Sequence, residues 1–101
     1  MRLSYNEWTV SGRVFYLKEL EGEFSASLQL RGEARRLGVY ASSVMEMKCL
    51  MQKDVYEVAK KKGLVMYCNA TLSGHLETWV KKDNKKVMFI VDDILEIEKW
   101  E

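Results

Sequence analysis

Apolar and polar residues alternate with a period of two along most of this chain, and the alternation breaks only at short charged or glycine-containing stretches. Period two marks strands with one covered face, because successive side chains leave opposite sides of the backbone. Over residues 8–17, Trp8, Val10, Gly12, Val14 and Tyr16 alternate with Thr9, Ser11, Arg13 and Phe15. Gly12 in mid-run predicts a bulge or sharp bend. Residues 18–22 read as a turn. A second strand sets Phe24, Ala26, Leu28 and Leu30 on one face, and Ser25, Ser27, Gln29 and Arg31 on the other. Residues 32–38 form a polar, basic loop. A third strand, from 39 to about 51, puts Met45, Met47 and Cys49 opposite Val44, Glu46, Lys48 and Leu50.

The period then changes. Val55, Val58 and Ala59 predict a helix over residues 54–62, with Asp54 as its cap. Lys60, Lys61 and Lys62 suit the negative end of its dipole, and Gly63 suits a left-handed stop. This helix is expected to plug one end of a barrel. Alternation resumes over 64–80. Leu64, Met66, Cys68, Ala70, Leu72, Leu76 and Val80 face inward, and Val65, Tyr67, Asn69, Thr71, Ser73, His75, Glu77 and Trp79 face outward. A run of ~17 residues is too long for one flat strand in a small domain. It must bend near Ser73 and Gly74 or extend as a protruding hairpin. A turn, Lys81-Lys82-Asp83-Asn84-Lys85-Lys86, leads to a last strand over 87–97, with Val87, Phe89 and Val91 opposite Met88 and Ile90. Three strands, a short helix, a long strand, a basic hairpin and a strand follow the order of a five-stranded OB-fold barrel. The fold class is therefore all-β with one short helix and an extended hairpin between the fourth and fifth strands. With no linker, repeat or proline, residues 1–101 read as one domain.

Composition narrows the function. Of 101 residues, 48% are hydrophobic and 31% charged, as in ordinary globular proteins. No apolar run approaches the ~18 residues of a membrane span, and residues 1–7 lead into no signal-peptide core. The expected location is cytoplasmic, with no membrane partner. Net charge is only +1, so affinity for nucleic acid must come from where charges sit. They are segregated. Basic clusters lie at Arg31, Arg35 and Arg36, at Lys60 to Lys62, and at Lys81, Lys82, Lys85 and Lys86; acids gather at 19–23 and 92–101. Cys49 and Cys68 fall within apolar alternation and read as buried free thiols of a reducing compartment, with a disulfide as the alternative. No metal-ligand spacing exists around them or around His75, so neither a metal site nor a cofactor is expected. Nor is there a nucleophile–base motif or glycine-rich phosphate loop, so the chain is not expected to be an enzyme or to take a small-molecule substrate.

Asn6-Glu7-Trp8-Thr9-Val10-Ser11-Gly12-Arg13-Val14 and Phe24-Ser25-Ala26-Ser27-Leu28 resemble the first and second strands of the bacterial and phage single-stranded DNA-binding protein (SSB) family. Lys62-Gly63, Val65-Met66-Tyr67-Cys68-Asn69-Ala70-Thr71-Leu72, Glu77-Thr78-Trp79, Lys82-Asp83-Asn84-Lys85-Lys86 and Ile90-Val91-Asp92-Asp93-Ile94 follow the family's later motifs in order. The resemblance implies an OB fold, a homo-oligomer (dimer or tetramer), a part in DNA replication, and largely sequence-independent binding of single-stranded DNA through phosphate contacts and stacking; RNA is compatible with the same platforms. It sets Tyr67 and Trp79 at aromatic positions of the motifs and Arg13 at a basic one. The departures are specific. The stretch Val44 to Met51 of the third strand carries no aromatic, Ala70 replaces a glycine, and two residues are inserted before Trp79. The chain also shows no glycine-, proline- or glutamine-rich tail with an acidic tip, so it resembles a minimal or divergent member.

The expected nucleic-acid contacts are Arg13, Arg31, Arg35, Arg36, Tyr67, Trp79, Lys81, Lys82, Lys85 and Lys86. Each has a structural alternative: Trp79 and Tyr67 as packing residues, the lysines as a solvated turn. Trp100 is expected to cover an edge or interface. The competing function is an OB-fold protein-interaction module, a replication accessory with lost or weakened DNA binding.

Overall fold

The computed structural model describes residues 6–33 and 44–98. Five strands and one helix follow one another as β1 (Trp8–Glu19), β2 (Ala26–Glu33), β3 (Val44–Met51), α1 (Lys53–Lys62), β4 (Asn69–Lys81) and β5 (Asn84–Glu98). The strands close into a barrel in the order β1-β2-β3-β5-β4, the OB-fold arrangement. All neighbours are antiparallel except β3 and β5, whose short parallel ladder joins Cys49 to Phe89 and Met51 to Val91. Arg35, Arg36 and Trp100 lie outside the described residues.

β1 serves two neighbours. Trp8 to Arg13 pair with β4, and Arg13 to Glu19 pair with β2. At Gly12, where a bulge or bend was expected, the structure has a close approach of two strands instead. Gly12 lies so close to β2 that a Cβ there would sit 2.9 Å from the Arg31 carbonyl oxygen. The bulge itself comes later, between Val14 and Tyr16. One extra residue, Phe15, turns the following side chains over. Val14 points into the core, but Tyr16, expected on the same face, is 49% exposed, and Leu17 packs on the core instead.

The interior is built from the inward sets of each strand: Ala26, Leu28 and Leu30 from β2, Met47, Cys49 and Met51 from β3, Ala70 and Leu72 from β4, Val91 and Ile94 from β5. Cys49 and Cys68 are buried free thiols, and burial pushes Cys49 up to about 12.

α1 covers one end, held differently from expectation. Gln52 is its N-cap and makes no side-chain capping bond, while Asp54 lies in the first turn, where its charge favours the dipole. The buried positions are Tyr56 and Ala59; Val58 is exposed. Tyr56 wins because its hydroxyl donates to Glu19 Oε1 at 2.8 Å, giving the buried ring a partner for its polar tip. Gly63 closes the helix at φ 95°, and Leu64 N–H reaches back to the Ala59 carbonyl.

β4 begins at Asn69, not at residue 64. Residues 64–68 form a turn in which Tyr67 adopts φ 71°, so Val65, Met66 and Tyr67 are all exposed although Met66 was expected inward. Farther along, β4 both bends and projects. Register shifts at Thr71/Leu72 and Ser73/Gly74 produce the bend. At that bend a Cβ on Gly74 would overlap the Ile90 carbonyl and lie 2.6 Å from the Trp8 ring. Beyond it β4 and β5 leave the barrel as a two-stranded ribbon. Leu76 and Val80, expected inward, are therefore exposed, because no layer lies over them.

Candidate nucleic-acid interface

The outer faces of β1, β2 and β3 form cross-strand rows, fixed by register. Arg13 stands opposite Arg31, and Arg31 opposite Glu46; Tyr16 stands opposite Gln29, and Gln29 opposite Lys48; Lys18 stands opposite Ser27, and Ser27 opposite Leu50. The bulge adds Phe15 beside the first row. Its ring lies 4.4 Å beneath the Arg31 guanidinium and meets Tyr67 edge-to-face with centroids 6.0 Å apart. Tyr67 reaches this position from the turn after α1. Its left-handed backbone is uncommon for an aromatic residue, and the Tyr67 N–H holds it there by donating to the Val14 carbonyl at 2.6 Å. Strain of this kind persists only when the surroundings enforce it.

The result is a shelf in which Tyr67 is exposed and Phe15 and Arg31 are half-buried beside it. Arg31 Nε lies 3.0 Å from Glu46 Oε1, but the pair lacks hydrogen-bond alignment and both side chains are substantially exposed. A phosphate competing for that guanidinium displaces only a weak partner.

A second group sits on the β4–β5 ribbon. Trp79 pairs with Lys86, Val80 with Lys85, and Lys81 with Asn84, while Lys82 turns the chain at φ 55°. Trp79 is 41% exposed, and its ring lies 6.1 Å from that of Phe24, which comes from the β1–β2 loop. The loop and the ribbon thus present two aromatic rings together, beside four lysines. From the ribbon's base back along the barrel β5 is acidic, with Asp92, Asp93, Glu96 and Glu98 all exposed.

Two depressions link these groups. One, of about 300 Å³, is lined by Tyr16, Ser27, Leu28, Gln29 and Lys48. The other, of about 190 Å³, runs between β3 and the ribbon and includes Glu46, Lys48, Leu50 and Lys86. Lys48 borders both.

Seen residue by residue, the structure brings Arg13, Arg31 and Tyr67 together and gathers Trp79, Lys81, Lys82, Lys85 and Lys86 separately on the ribbon. Phe15, Tyr16, Phe24, Gln29 and Lys48 belong to the same surface and were not singled out from the sequence. The adjacent aromatics Phe15 and Tyr16 in an alternating strand carried the signal: without a bulge only one of them can face outward. They also answer the missing third-strand aromatics, because β1 supplies rings to the face that β3 leaves without them. Trp8 is structural. Its indole N–H donates to the His75 carbonyl at 3.0 Å and its ring packs edge-on against Phe89.

His75 has partners that the sequence did not place. Nδ1 lies 2.7 Å from Asp92 Oδ2, and Nε2 lies 2.6 Å from Glu77 Oε2. Hydrogen bonds to Asp92 and then Glu77 hold its pKa above the ordinary value, while the His75 bond holds Glu77 below its own. This is a bridge across the ribbon's base; among the described residues no group of histidine, cysteine and carboxylates is arranged to hold a metal ion. No helix among them is long and apolar enough to cross a membrane.

No family model matches the chain, and no curated protein does. Solved structures do. The mitochondrial single-stranded DNA-binding protein Rim1 from S. cerevisiae superposes with a TM-score of 0.69 at 10% identity, over 95% of this chain and 97% of that one. The Plasmodium falciparum SSB, in complex with ssDNA, gives 0.63 at 18% identity over 95% and 99%. A small single-stranded DNA-binding protein from Mycoplasma pneumoniae gives 0.58 at 10% identity over 92% and 94%. At these identities the likeness is one of fold, and it extends over nearly the full length of each chain.

Proposed function

We propose that this chain binds single-stranded DNA without catalysis, largely independently of sequence, by phosphate contacts from Arg13, Arg31, Lys81, Lys82, Lys85 and Lys86 and by stacking on Tyr67 and Trp79. The observation that carries this reading is the shelf on a closed barrel in which exposed Tyr67 stands beside half-buried Phe15 and Arg31. Such a shelf offers π-faces and a cation side by side, the combination that single-stranded nucleic acid needs and that a protein core has no reason to leave in water. The three structures of like fold belong to proteins named for binding single-stranded DNA, which supports the same reading. RNA fits the same platforms, because base stacking does not depend on the sugar. The reading includes a homo-oligomer in a reducing, cytoplasmic setting. Its supports are the exposed apolar side chains Leu76, Val80 and Val87 on the ribbon and the two buried free thiols.

Titration of tryptophan fluorescence with oligo-dT tests the proposal at low and moderate salt. Trp79 is the exposed described tryptophan, so binding across the ribbon quenches emission, and the affinity falls steeply as salt rises. Unquenched emission together with an unshifted band in a gel would overturn it and favour the protein-interaction module.

A further inference from the structure

The depression between Tyr16 and Lys48 has chemistry that a simple stacking surface does not need. Ser27 and Leu28 of β2 line it, and three side chains from three adjacent strands stand around it in register. Tyr16 supplies an aromatic wall, 49% exposed. Gln29, half-buried, supplies one carbonyl acceptor and one amide donor side by side. Lys48, exposed and directly opposite Gln29 on β3, supplies donors only. At about 300 Å³ the space accommodates one base.

We propose that this depression, given the single-stranded nucleic-acid binding argued above, is a base pocket that favours pyrimidines. The amide of Gln29 meets two adjacent positions of a base edge, and the ammonium of Lys48 meets the third. Cytosine presents a donor at N4 and acceptors at N3 and O2. With the amide oxygen toward N4–H and its nitrogen toward N3, Lys48 donates to O2. Thymine and uracil present acceptor, donor and acceptor. Turning the amide over satisfies O4 and N3–H, and Lys48 again donates to O2. Guanine fails this test, because its third group, the N2 amine, is a donor and faces the ammonium. Adenine offers only a C–H at that position. For a base presenting its Watson–Crick edge in this order, the ammonium therefore disfavours both purines, while amide rotation lets both pyrimidines in. The bias is superimposed on the sequence-independent contacts of the shelf and ribbon; it does not replace them.

Affinities of the wild-type chain for dT, dC and dA homopolymers of equal length, measured by fluorescence anisotropy beside Gln29→Leu and Lys48→Met, decide the matter. The wild type is expected to bind dT and dC more tightly than dA, and the pyrimidine-to-purine ratio is expected to fall about 3- to 10-fold in Lys48→Met, the loss of one hydrogen bond, whereas Gln29→Leu weakens all three with little change in the ratio. Adenine self-stacking also disfavours dA, but it resides in the ligand and persists in the variants, so the change in the ratio isolates the pocket. Both substituted side chains lie on the outer face, and matching thermal melts confirm folding. A Lys48→Met variant that binds with an unchanged ratio, or a Gln29→Leu variant that binds every oligonucleotide as tightly as the wild type, overturns the pocket while leaving the general binding intact. A wild type that binds none of the three oligonucleotides overturns the proposed function itself, and the pocket with it.

Discussion

Glu46 places a carboxylate on the face that is proposed to meet phosphate, and Glu46→Gln should therefore strengthen binding. Its Oε1 lies 3.0 Å from Arg31 Nε, without hydrogen-bond alignment, and the two side chains are 50% and 39% exposed. Exposed pairs of this kind contribute about 0–1 kcal/mol to stability, so the folded chain loses little when the charge is removed. A phosphate bound to the same guanidinium brings its charge to about 5–6 Å from the Glu46 carboxylate, where the repulsion is about 0.8 kcal/mol at the dielectric of water and about 3 kcal/mol at 20. Exposure and screening at physiological salt favour the smaller figure. Removing about 1 kcal/mol of repulsion corresponds to roughly 5-fold tighter binding. The change should appear in anisotropy titrations with oligo-dT and should shrink as salt rises, while the urea midpoint moves little. Arg31→Ala should weaken binding, and in that background Glu46→Gln should gain less. Unchanged or weaker binding by Glu46→Gln at low salt would refute the argument that Arg31 is a phosphate contact held in check by its neighbour.

Other outcomes follow from the same geometry. Tyr67→Gly should keep the fold, since glycine accepts φ 71° without strain, yet lose about 1–3 kcal/mol of affinity per stacked base; Tyr67→Phe should retain most of it, and the contrast between melts and titrations reads both. Gly74→Ala should destabilise by at least about 2–3 kcal/mol, because its Cβ overlaps backbone. Gly12→Ala, with a 2.9 Å contact, should cost less, and a reversed order in urea denaturation would count against the bend at Gly74. The His75 bridge sets a pH dependence. A raised histidine pKa stabilises fully below the ordinary 6.5 and is lost as pH rises through the folded value; the lowered Glu77 value stabilises above the ordinary 4.5 and is lost as pH falls through its folded value. This bridge therefore contributes most between about 4.5 and 6.5. Cys49, raised to about 12, removes further stability as pH climbs past its ordinary 9.0. Melting curves of wild type and His75→Asn across this range should converge as pH rises through the histidine window and remain apart below it.

Periodicity in the sequence determined most of the barrel. The inward sets of β2 and β3, the helix stop at Gly63 and the bend at Ser73–Gly74 all follow from local pattern, because burial on one face imposes a period and glycine marks where backbone must approach backbone. The outward placement of Tyr67 and Trp79 was legible for the same reason, although Tyr67 reaches it through a turn and not a strand. Only the tertiary structure decided the rest. The bulge at Phe15 is a register event between two strands, and one extra residue there moves Tyr16 from the expected interior to the surface. The choice of Tyr56 over Val58 as the helix's buried contact depended on Glu19, 37 positions away in sequence, to satisfy the phenol. The partnership of Phe24 with Trp79, the Arg31–Glu46 pair and the Tyr16–Gln29–Lys48 pocket each join separate strands or loops. A sequence states what a residue can offer; which offers meet is fixed by the register and closure of the barrel, and those depend on contacts distant along the chain.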